Sequence, residues 1–396
     1  MKNLLNKVLK ISVLAALIVA VNVGKAIASN DPELPNPTTV CGQDTSICQK
    51  QEFVKNFNHS FTVGKNALVV LSNKYGRIDV RTNNGNQAAV NVRVVVNATD
   101  ENEANKIFAR INIAFTEGGD FVKAETQIET QSNSRIWDVL NGKSCGDFHI
   151  DYDVTMPATN RLDLSNKYGN STVGTLQNNV KIDQRYGDFR LDGATIAMVQ
   201  LAYGGGEMGN LTALNGSVSY GRLTSPMIKD VQLRSKYSNF KFDHVGSLDI
   251  QSAYDDYDVT SVSALKTDAQ YGNIVVGSVD NLSAAGSYTT FKIKKVEQNA
   301  DFKTVYGEIR IASVKAGFGT INVVGKQTDC LIAVDPSVSY QLDVVGAYTD
   351  LQSSATLKPK VDREERYRRE VMGTVGNPNT KSVIRAQMSY GSFRIK

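Results

Sequence analysis

A tyrosine recurs with a fixed period through the middle of this 396-residue chain, and this repeat constrains the fold more than any other feature. Every seventeenth position carries the tyrosine, and the first and last intervals are longer by one position. The tyrosines are Tyr168, Tyr186, Tyr203, Tyr220, Tyr237, Tyr254, Tyr271, Tyr288 and Tyr306. A fixed period of this length is typical of proteins built from stacked structural repeats.

Apolar and polar residues alternate on both sides of each tyrosine. Apolar side chains stand three and five residues after Tyr237, at Phe240 and Phe242, and four and six residues before it, at Leu233 and Val231. Alternation with a period of two predicts two short strands in each repeat. One repeat cannot bury its apolar row alone, but repeats stacked about 4.8 Å apart form a continuous core.

The repeat therefore predicts an all-β protein, a parallel β-solenoid (single-stranded β-helix-like) of 17-residue coils. Residues 161–325 are predicted to form the regular coils. The rival interpretation is an antiparallel sandwich of short strands with regular turns. A constant period with one phase over nine repeats favours the solenoid.

Glycine follows the tyrosine in six of the nine repeats. It predicts a corner that needs a positive φ or leaves no room for a Cβ atom. The tyrosines are predicted to point inward and to stack on one another, which would stabilise the array. The alternative is that the aromatic row holds sugar rings.

An insertion separates a first coil from the others, because the sequence NKYG occurs at 73–76 and again at 166–169, 93 residues apart. Residues 61–160 are therefore predicted to hold this coil and an α+β insertion that caps the open end of the stack. A helix is predicted over Glu101–Ile111, capped by Thr99 or Asp100. The strands predicted in the insertion are Ala88–Val96, Phe121–Gln131 and Cys145–Met156.

Residues 326–396 are predicted to form C-terminal coils. Ile332–Asp335 and Gln341–Val345 have the composition of strands, and Met388–Ile395 contains one more Tyr-Gly coil. The charged segment Lys358–Glu370 is predicted to be a solvated loop, with a short partner-docking helix as the alternative.

Residues 1–28 have the composition of a secretory signal peptide. Lys2, Lys7 and Lys10 precede an apolar run over Ile11–Val23, and Ala26-Ile27-Ala28 provides a small-x-small cleavage site. The run is shorter than the roughly 20 residues that a spanning helix needs. The chain is therefore predicted to be exported to the periplasm, the outer cell surface or the medium, without a transmembrane segment in the mature chain. Residues 29–60 would form an N-terminal extension.

The net charge of +4 belongs to the leader, which carries Lys2, Lys7, Lys10 and Lys25 and no acidic residue. Its removal leaves 40 basic residues against 40 acidic residues. A balanced chain has no general attraction to polyanions, so no nucleic-acid partner is predicted.

Four cysteines in an exported chain can pair in three ways. Cys41 and Cys48 are the disulfide candidates, because they are near enough in sequence to close a small loop. Cys145 and Cys330 form the other pair if their Cα atoms come within about 7 Å. None has CxxC spacing, so no zinc site is predicted.

An acidic cluster is the main candidate for chemistry. Asp255, Asp256 and Asp258 lie on one coil, next to Asp243 and His244 on the preceding coil, which suggests paired carboxylates for polysaccharide cleavage or a calcium site. The regular coils lack the extended loops that would wall a cleft, so a solvated acidic face is the preferred interpretation. No catalytic residue, metal or cofactor is predicted, and the chain is predicted not to be an enzyme.

Several segments resemble a known family. They are LSNKYGRIDV at Leu71–Val80, LSNKYGNSTV at Leu164–Val173, the Tyr-Gly repeats and the closing segment Gly373–Ile395. Together they are similar to the bacterial putative-adhesin family, exported β-solenoid domains of unknown function, over most of the mature chain. The resemblance implies a solenoid fold and carries no catalytic residues.

The sequence thus favours a non-enzymatic, exported, adhesin-like protein that presents a rigid face to an envelope protein or a glycan. The alternative is a polysaccharide-cleaving β-helix enzyme that uses Asp255, Asp256 and Asp258. The oligomeric state is left open.

Overall fold

The computed structural model describes residues 49–129 and 147–396. The predicted signal peptide and Cys41, Cys48 and Cys145 lie outside these residues, so both disulfide predictions stay predictions. Cys330 is buried and has no disulfide partner among the described residues, and burial raises the pKa of its thiol.

The described chain consists of β-strands and one short helix, so the all-β prediction is confirmed. The helix α1 spans Glu101–Phe108. The strands are β1 (Gln51–Thr62), β2 (Leu68–Lys74), β3 (Ile78–Asn83), β4 (Gln87–Ala98), β5 (Ile111–Glu117), β6 (Phe121–Ile128), β7 (Asp147–Pro157), β8 (Arg161–Lys167), β9 (Ser171–Val173), β10 (Val180–Arg185), β11 (Phe189–Lys236), β12 (Asn239–Ala253), β13 (Asp256–Val305), β14 (Glu308–Ile311), β15 (Thr320–Ile332), β16 (Tyr340–Ser353), β17 (Leu357–Glu365), β18 (Arg368–Val375) and β19 (Val383–Ile395).

All the strands belong to one sheet, in which successive repeat units pair in parallel. In the register between β11 and β12, Leu233 lies opposite Ile250, and in that between β12 and β13, Ile250 lies opposite Thr267. The second residue of each pair stands at the same place in the next repeat, so equivalent positions of successive units are hydrogen-bonded neighbours. The alternative prediction, an antiparallel sandwich, is therefore wrong for these repeats.

The core consists of rows of equivalent side chains from successive units. Four residues before the tyrosines, Leu164, Ile182 and Val199 lie opposite one another in turn and are at most 1% exposed. The row continues through Leu233 and Ile250. Each fully buried aliphatic side chain contributes about 1.5–3 kcal/mol, so the rows stabilise the array only when the units pair.

The insertion extends the sheet beyond the first unit. β6 and β7 pair in parallel with β2 and β3, whereas β4 pairs antiparallel with both β1 and β7. The side chain of Asp100 caps α1 by accepting a hydrogen bond from the Glu103 amide at 2.8 Å. The helix ends at Phe108, before the predicted Ile111, which instead begins β5. No helix of the described residues is long and apolar enough to span a bilayer.

The last strand does not lie at the end of the sheet. β19 pairs in parallel with β15 on one side and with β16 on the other. Met388–Ile395 therefore belongs to one more unit, which is placed between two earlier segments. The predicted strand Gln341–Val345 lies within β16, whereas the predicted strand Ile332–Asp335 is wrong beyond Ile332, where β15 ends.

The charged segment Lys358–Glu370 is not a loop, and it contains no helix. It forms most of an antiparallel hairpin of β17 and β18, which joins the sheet through pairing of β18 with β16. Opposite charges meet across the two strands, with Arg369 bound to Asp362 at 3.2 Å and Arg363 to Glu370 at 3.3 Å. The mixed charges that indicated a solvated loop are cross-strand pairs on an exposed edge of the sheet.

Candidate functional site

The repeated tyrosines form a stack of rings along the sheet, here called the tyrosine ladder. Adjacent rings are 4.8–5.1 Å apart between centroids, and their planes differ by 2–14°. Tyr75 begins the ladder, and nine rings follow: Tyr168, Tyr186, Tyr203, Tyr220, Tyr237, Tyr254, Tyr271, Tyr288 and Tyr306. The ring spacing equals the spacing between paired strands, so the backbone register itself brings the rings into contact.

Each ladder tyrosine has left-handed backbone geometry, with φ between 52° and 64° in these ten residues. The sequence left two interpretations of the following glycine open, and the first, a positive φ, holds in the described repeats at Gly391 alone. Left-handed geometry costs a residue other than glycine roughly 1–2 kcal/mol. The stacking energy of an aromatic pair, about 0.5–1.5 kcal/mol, is large enough to offset much of that cost.

The glycines are required because the backbones of successive corners approach one another closely. A Cβ atom on Gly169 would lie 1.9 Å from the carbonyl oxygen of Gly76, and one on Gly204 would lie 2.1 Å from that of Gly187. The other interpretation of the glycines, that no room is left for a side chain, is therefore confirmed.

The tyrosine rings point outward, which corrects the prediction that they point inward. From Tyr168 to Tyr306 they are 42–50% exposed. Because both faces of an inner ring are covered by its neighbours, the ladder presents ring edges and a row of phenol hydroxyls. A sugar cannot stack on a ring face within this continuous run.

Replacing Tyr220 by asparagine is expected to lower the free energy of unfolding by about 1–2 kcal/mol, because its stacks with Tyr203 and Tyr237 are lost. Asparagine tolerates left-handed geometry, so the backbone requirement is still met. The matched control is Tyr220→Phe, which keeps both stacks and removes a hydroxyl that has no hydrogen-bond partner within the described residues. Urea denaturation followed by circular dichroism measures both variants. Equal stability of the two would contradict a stabilising role for stacking.

The ladder is interrupted once, at Gln327. The register places this residue between Tyr306 and Tyr390, since Val305 pairs with Lys326 and Lys326 with Ser389. Gln327 has the left-handed φ of the ladder, 50°, but carries no ring. Beyond it the stack resumes with Tyr390, Tyr348 and Tyr367, with centroid distances of 5.0 Å and 4.6 Å.

Asp255 is buried, which corrects the prediction of a solvated acidic face for this residue. It is 1% exposed and occupies the position that glycine holds after most of the tyrosines. Its carboxylate accepts hydrogen bonds from the hydroxyls of Ser235 and Ser252, at 2.7 and 2.8 Å, and from the amides of Ser238 and Ala253, at 2.8 and 3.1 Å. The hydroxyl of Ser235 also hydrogen-bonds that of buried Tyr257, at 2.7 Å. Sequence reasoning missed these serines.

The other members of the predicted cluster face away from Asp255. Asp256 and Asp258 are exposed, and Asp256 accepts a hydrogen bond from Asn273 at 2.7 Å. His244 is bonded to Ser261 of the next unit, at 2.8 Å, and Asp243 lies only partly buried beside it. Within the described residues, no group of three or more acidic, histidine or cysteine side chains is arranged to hold a metal ion.

Wild-type stability relative to Asp255→Asn is expected to fall as the pH rises from about 4 toward neutrality. Burial raises the pKa of Asp255, against the opposing effect of its hydrogen bonds. Above the unfolded pKa of about 3.9, the folded state therefore holds more protons than the unfolded state. The stabilisation that protonated Asp255 gives the folded state is complete below the unfolded-state pKa, and it is lost as the pH rises through the folded-state pKa. Denaturation midpoints of both proteins between about pH 3.5 and 7 measure it; a difference that grows with pH would contradict it.

No family model matches the chain, and no curated protein matches it. Several solved structures are similar over most of its length. A putative cell adhesion protein from Clostridium sporogenes is 8% identical, with 88% of this chain and 99% of that chain covered and a TM-score of 0.18. A putative adhesin from Bacteroides fragilis is 10% identical, with 86% of this chain and 97% of that chain covered and a TM-score of 0.23. A putative lipid binding protein from Parabacteroides distasonis is 12% identical, with 85% of this chain and 96% of that chain covered and a TM-score of 0.22. At TM-scores this low the similarities carry no argument.

Proposed function

We propose that the 17-residue units wind as a parallel β-solenoid and that the protein is a non-enzymatic, adhesin-like interaction protein of the cell envelope or cell surface. The observation that carries the proposal is the ladder, a continuous row of half-exposed rings held in one register by the backbone. A surface ordered over ten units presents the same groups at a fixed spacing. Such a surface suits a partner that is itself extended or repetitive.

The burial of Asp255 removes one of the three carboxyl groups that the catalytic alternative uses. General acid–base cleavage of a glycosidic bond needs two carboxyl groups that face the same substrate, about 5–10 Å apart. Asp255 is directed into the interior, where its oxygens are already hydrogen-bonded, while Asp256 and Asp258 lie on the outer side of the same strand. The polysaccharide-cleaving alternative therefore loses one of its three residues.

Binding is tested by incubating the purified chain with solubilised envelope proteins and with a glycan array. We expect retention of at least one component, because the exposed ladder offers hydroxyl and aromatic groups along one line. A negative result on both would reject the binding role. Protease accessibility on intact cells then separates a surface location from a periplasmic one, and detection in the cytoplasm alone would contradict export.

The absence of catalysis is tested separately. The chain is incubated with acidic polysaccharides, and the release of reducing ends is measured. We expect none above background. Turnover that is lost in Asp256→Asn or Asp258→Asn would establish the enzymatic alternative.

A further inference from the structure

The interruption at Gln327 leaves two ring faces of the ladder without an aromatic neighbour. Tyr306 stacks on Tyr288 with one face, and Tyr390 stacks on Tyr348 with one face. Their other faces are directed toward the rung occupied by Gln327, which is exposed and whose amide group has no hydrogen-bond partner in the described chain. These faces differ from those inside the continuous run, because no ring covers them.

The space between these faces fits one flat ring. Two rungs of a paired sheet span about 9.6 Å, so a ring on the middle rung would lie about 4.8 Å from each tyrosine. That is the spacing at which the ladder rings themselves stack. The site is thus preorganised for stacking on both sides, and only the flexible side chain of Gln327 has to move.

A surface groove of about 630 Å³ adjoins the interruption. It is lined by residues of four neighbouring strands, β13, β15, β16 and β19, and by Arg368 of β18. Val305 and Val324 on its floor are 38% and 46% exposed. The groove runs beside the rungs of Tyr306, Gln327 and Tyr390, since it includes Lys326 and Ser389, their neighbours in sequence.

The groove carries unpaired positive charge. Lys303, Lys326 and Arg368 line it, all three are exposed, and none forms an ion pair with a residue that the structure describes. The acidic residues nearest Arg368 are Glu365, which lies opposite it in the hairpin, and Glu370, and both are paired with Arg363, at 3.7 and 3.3 Å. The chemistry of the site is therefore two aromatic faces beside three free cations.

A second groove, of about 500 Å³, provides a comparison within the same molecule. Its cations are already engaged, because Lys181 is paired with Asp163 at 3.0 Å and Arg234 donates to Gln251 at 3.1 Å. The ladder beside it, around Tyr203 and Tyr220, is continuous. Of these two grooves in the described part of the chain, the one beside Gln327 combines open ring faces with positive charge that forms no ion pair.

We propose that the interruption of the ladder is a binding site for an anionic glycan. One pyranose ring occupies the rung of Gln327 between Tyr306 and Tyr390, and its carboxylate or sulfate group binds the cations of the groove. Apolar C–H groups of a pyranose cover both aromatic faces, while the amide of Gln327 is available to its hydroxyls. The site deepens the proposed function and rests on it, since it specifies the ligand class of the binding surface.

The test is isothermal titration of the full chain with an oligogalacturonate, a heparin oligosaccharide and a neutral maltooligosaccharide. We expect the acidic sugars to bind and affinity to fall as salt rises, because the cations contribute. Oligogalacturonate carries carboxylates only and heparin carries carboxylates and sulfates, so binding of heparin alone would show that sulfate is required. Absence of binding by both, or equal binding of the neutral sugar, would overturn the proposal.

The decisive variant is Gln327→Tyr, which fills the rung with the residue that the other rungs carry. We expect it to fold, because tyrosine already occupies this backbone geometry throughout the ladder, and to lower affinity by about tenfold or more. Lys326→Gln should lower it by a few fold. The matched control Tyr271→Gln opens a rung where no lysine or arginine stands within two residues of the tyrosine or of its stacked neighbours Tyr254 and Tyr288, and it should leave affinity unchanged. Unaltered affinity in Gln327→Tyr would overturn the site.

The two proposals can fail separately. If the chain retains an envelope component equally well with and without Gln327→Tyr, the binding function stands and this site is wrong. If Gln327→Tyr abolishes binding of a protein while the acidic sugars never bind, the rung accepts an aromatic side chain, and the glycan proposal is wrong. If nothing binds the wild-type chain, both are rejected.

Discussion

Replacing Gly169 by alanine is expected to lower the free energy of unfolding by about 3 kcal/mol or more. The new methyl group would lie 1.9 Å from the carbonyl oxygen of Gly76 and 2.5 Å from its carbonyl carbon. Both atoms belong to the backbone of the next unit, which is fixed by the pairing of β2 with β8. The corner cannot relax by changing a rotamer, so the units must separate locally.

The matched control is Gly64→Ala. A Cβ atom there would have no neighbour within 4 Å, and the residue does not have a positive φ. Its stability is expected to stay the same or to rise by up to about 1 kcal/mol, because alanine restricts the unfolded chain. Thermal and urea unfolding followed by circular dichroism measure both. Similar values for the two variants would show that the corners are not closely packed.

Replacing Asp255 by alanine is expected to cost about 3–5 kcal/mol. The change leaves the hydroxyls of Ser235 and Ser252 and the amide of Ser238 without their acceptor in a buried corner. A buried donor without a partner costs about 1–3 kcal/mol, and several are left at once.

Asp258→Ala serves as the control, because this residue is exposed on the outer side of the same unit. Its effect is expected to stay within about 0.5 kcal/mol. Stability is measured at pH 7, where an effect of Asp255→Ala as small as that of Asp258→Ala would mean that the serine–aspartate network contributes little.

The period of the repeat was sufficient to predict the parallel pairing, because a constant period can place equivalent apolar residues opposite one another only when neighbouring strands run in parallel. The helix could also be predicted, since Asp100 is a cap residue and Ala104 and Ile107 fall on one face. These features depend on local sequence and period, which are visible without coordinates.

The inward Asp255 could have been predicted from the parity of the repeat. Before each tyrosine, the buried residues lie an even number of positions away from it, as Leu233 does from Tyr237. After each tyrosine, they lie an odd number of positions away, as Phe240 does. The alternation of buried and exposed residues therefore shifts by one position at the tyrosine, which indicates that the backbone there is not a regular strand. Asp255, one residue after Tyr254, has the parity of the buried positions.

Other features depend on long-range pairing that no local pattern encodes. The hairpin of β17 and β18 alternates little in hydrophobicity, and its strands are defined by cross-strand charge pairs. The placement of β19 between β15 and β16 likewise depends on competition among similar strands, because any Tyr-Gly unit could pair with several others. The period of the sequence predicts which residues of two paired units lie opposite one another, but it does not predict which units are neighbours in the sheet.

The intercalated position of β19 imposes an order of events on folding. β15 and β16 are joined through β19 and have no direct ladder between them, so an early collapse that paired these two would have to reopen. The segment that completes this region is synthesised after both of its neighbours, at a sequence separation that makes closure slow. A chaperone or a transport pathway that delays collapse would therefore favour the correct product over a shortened stack.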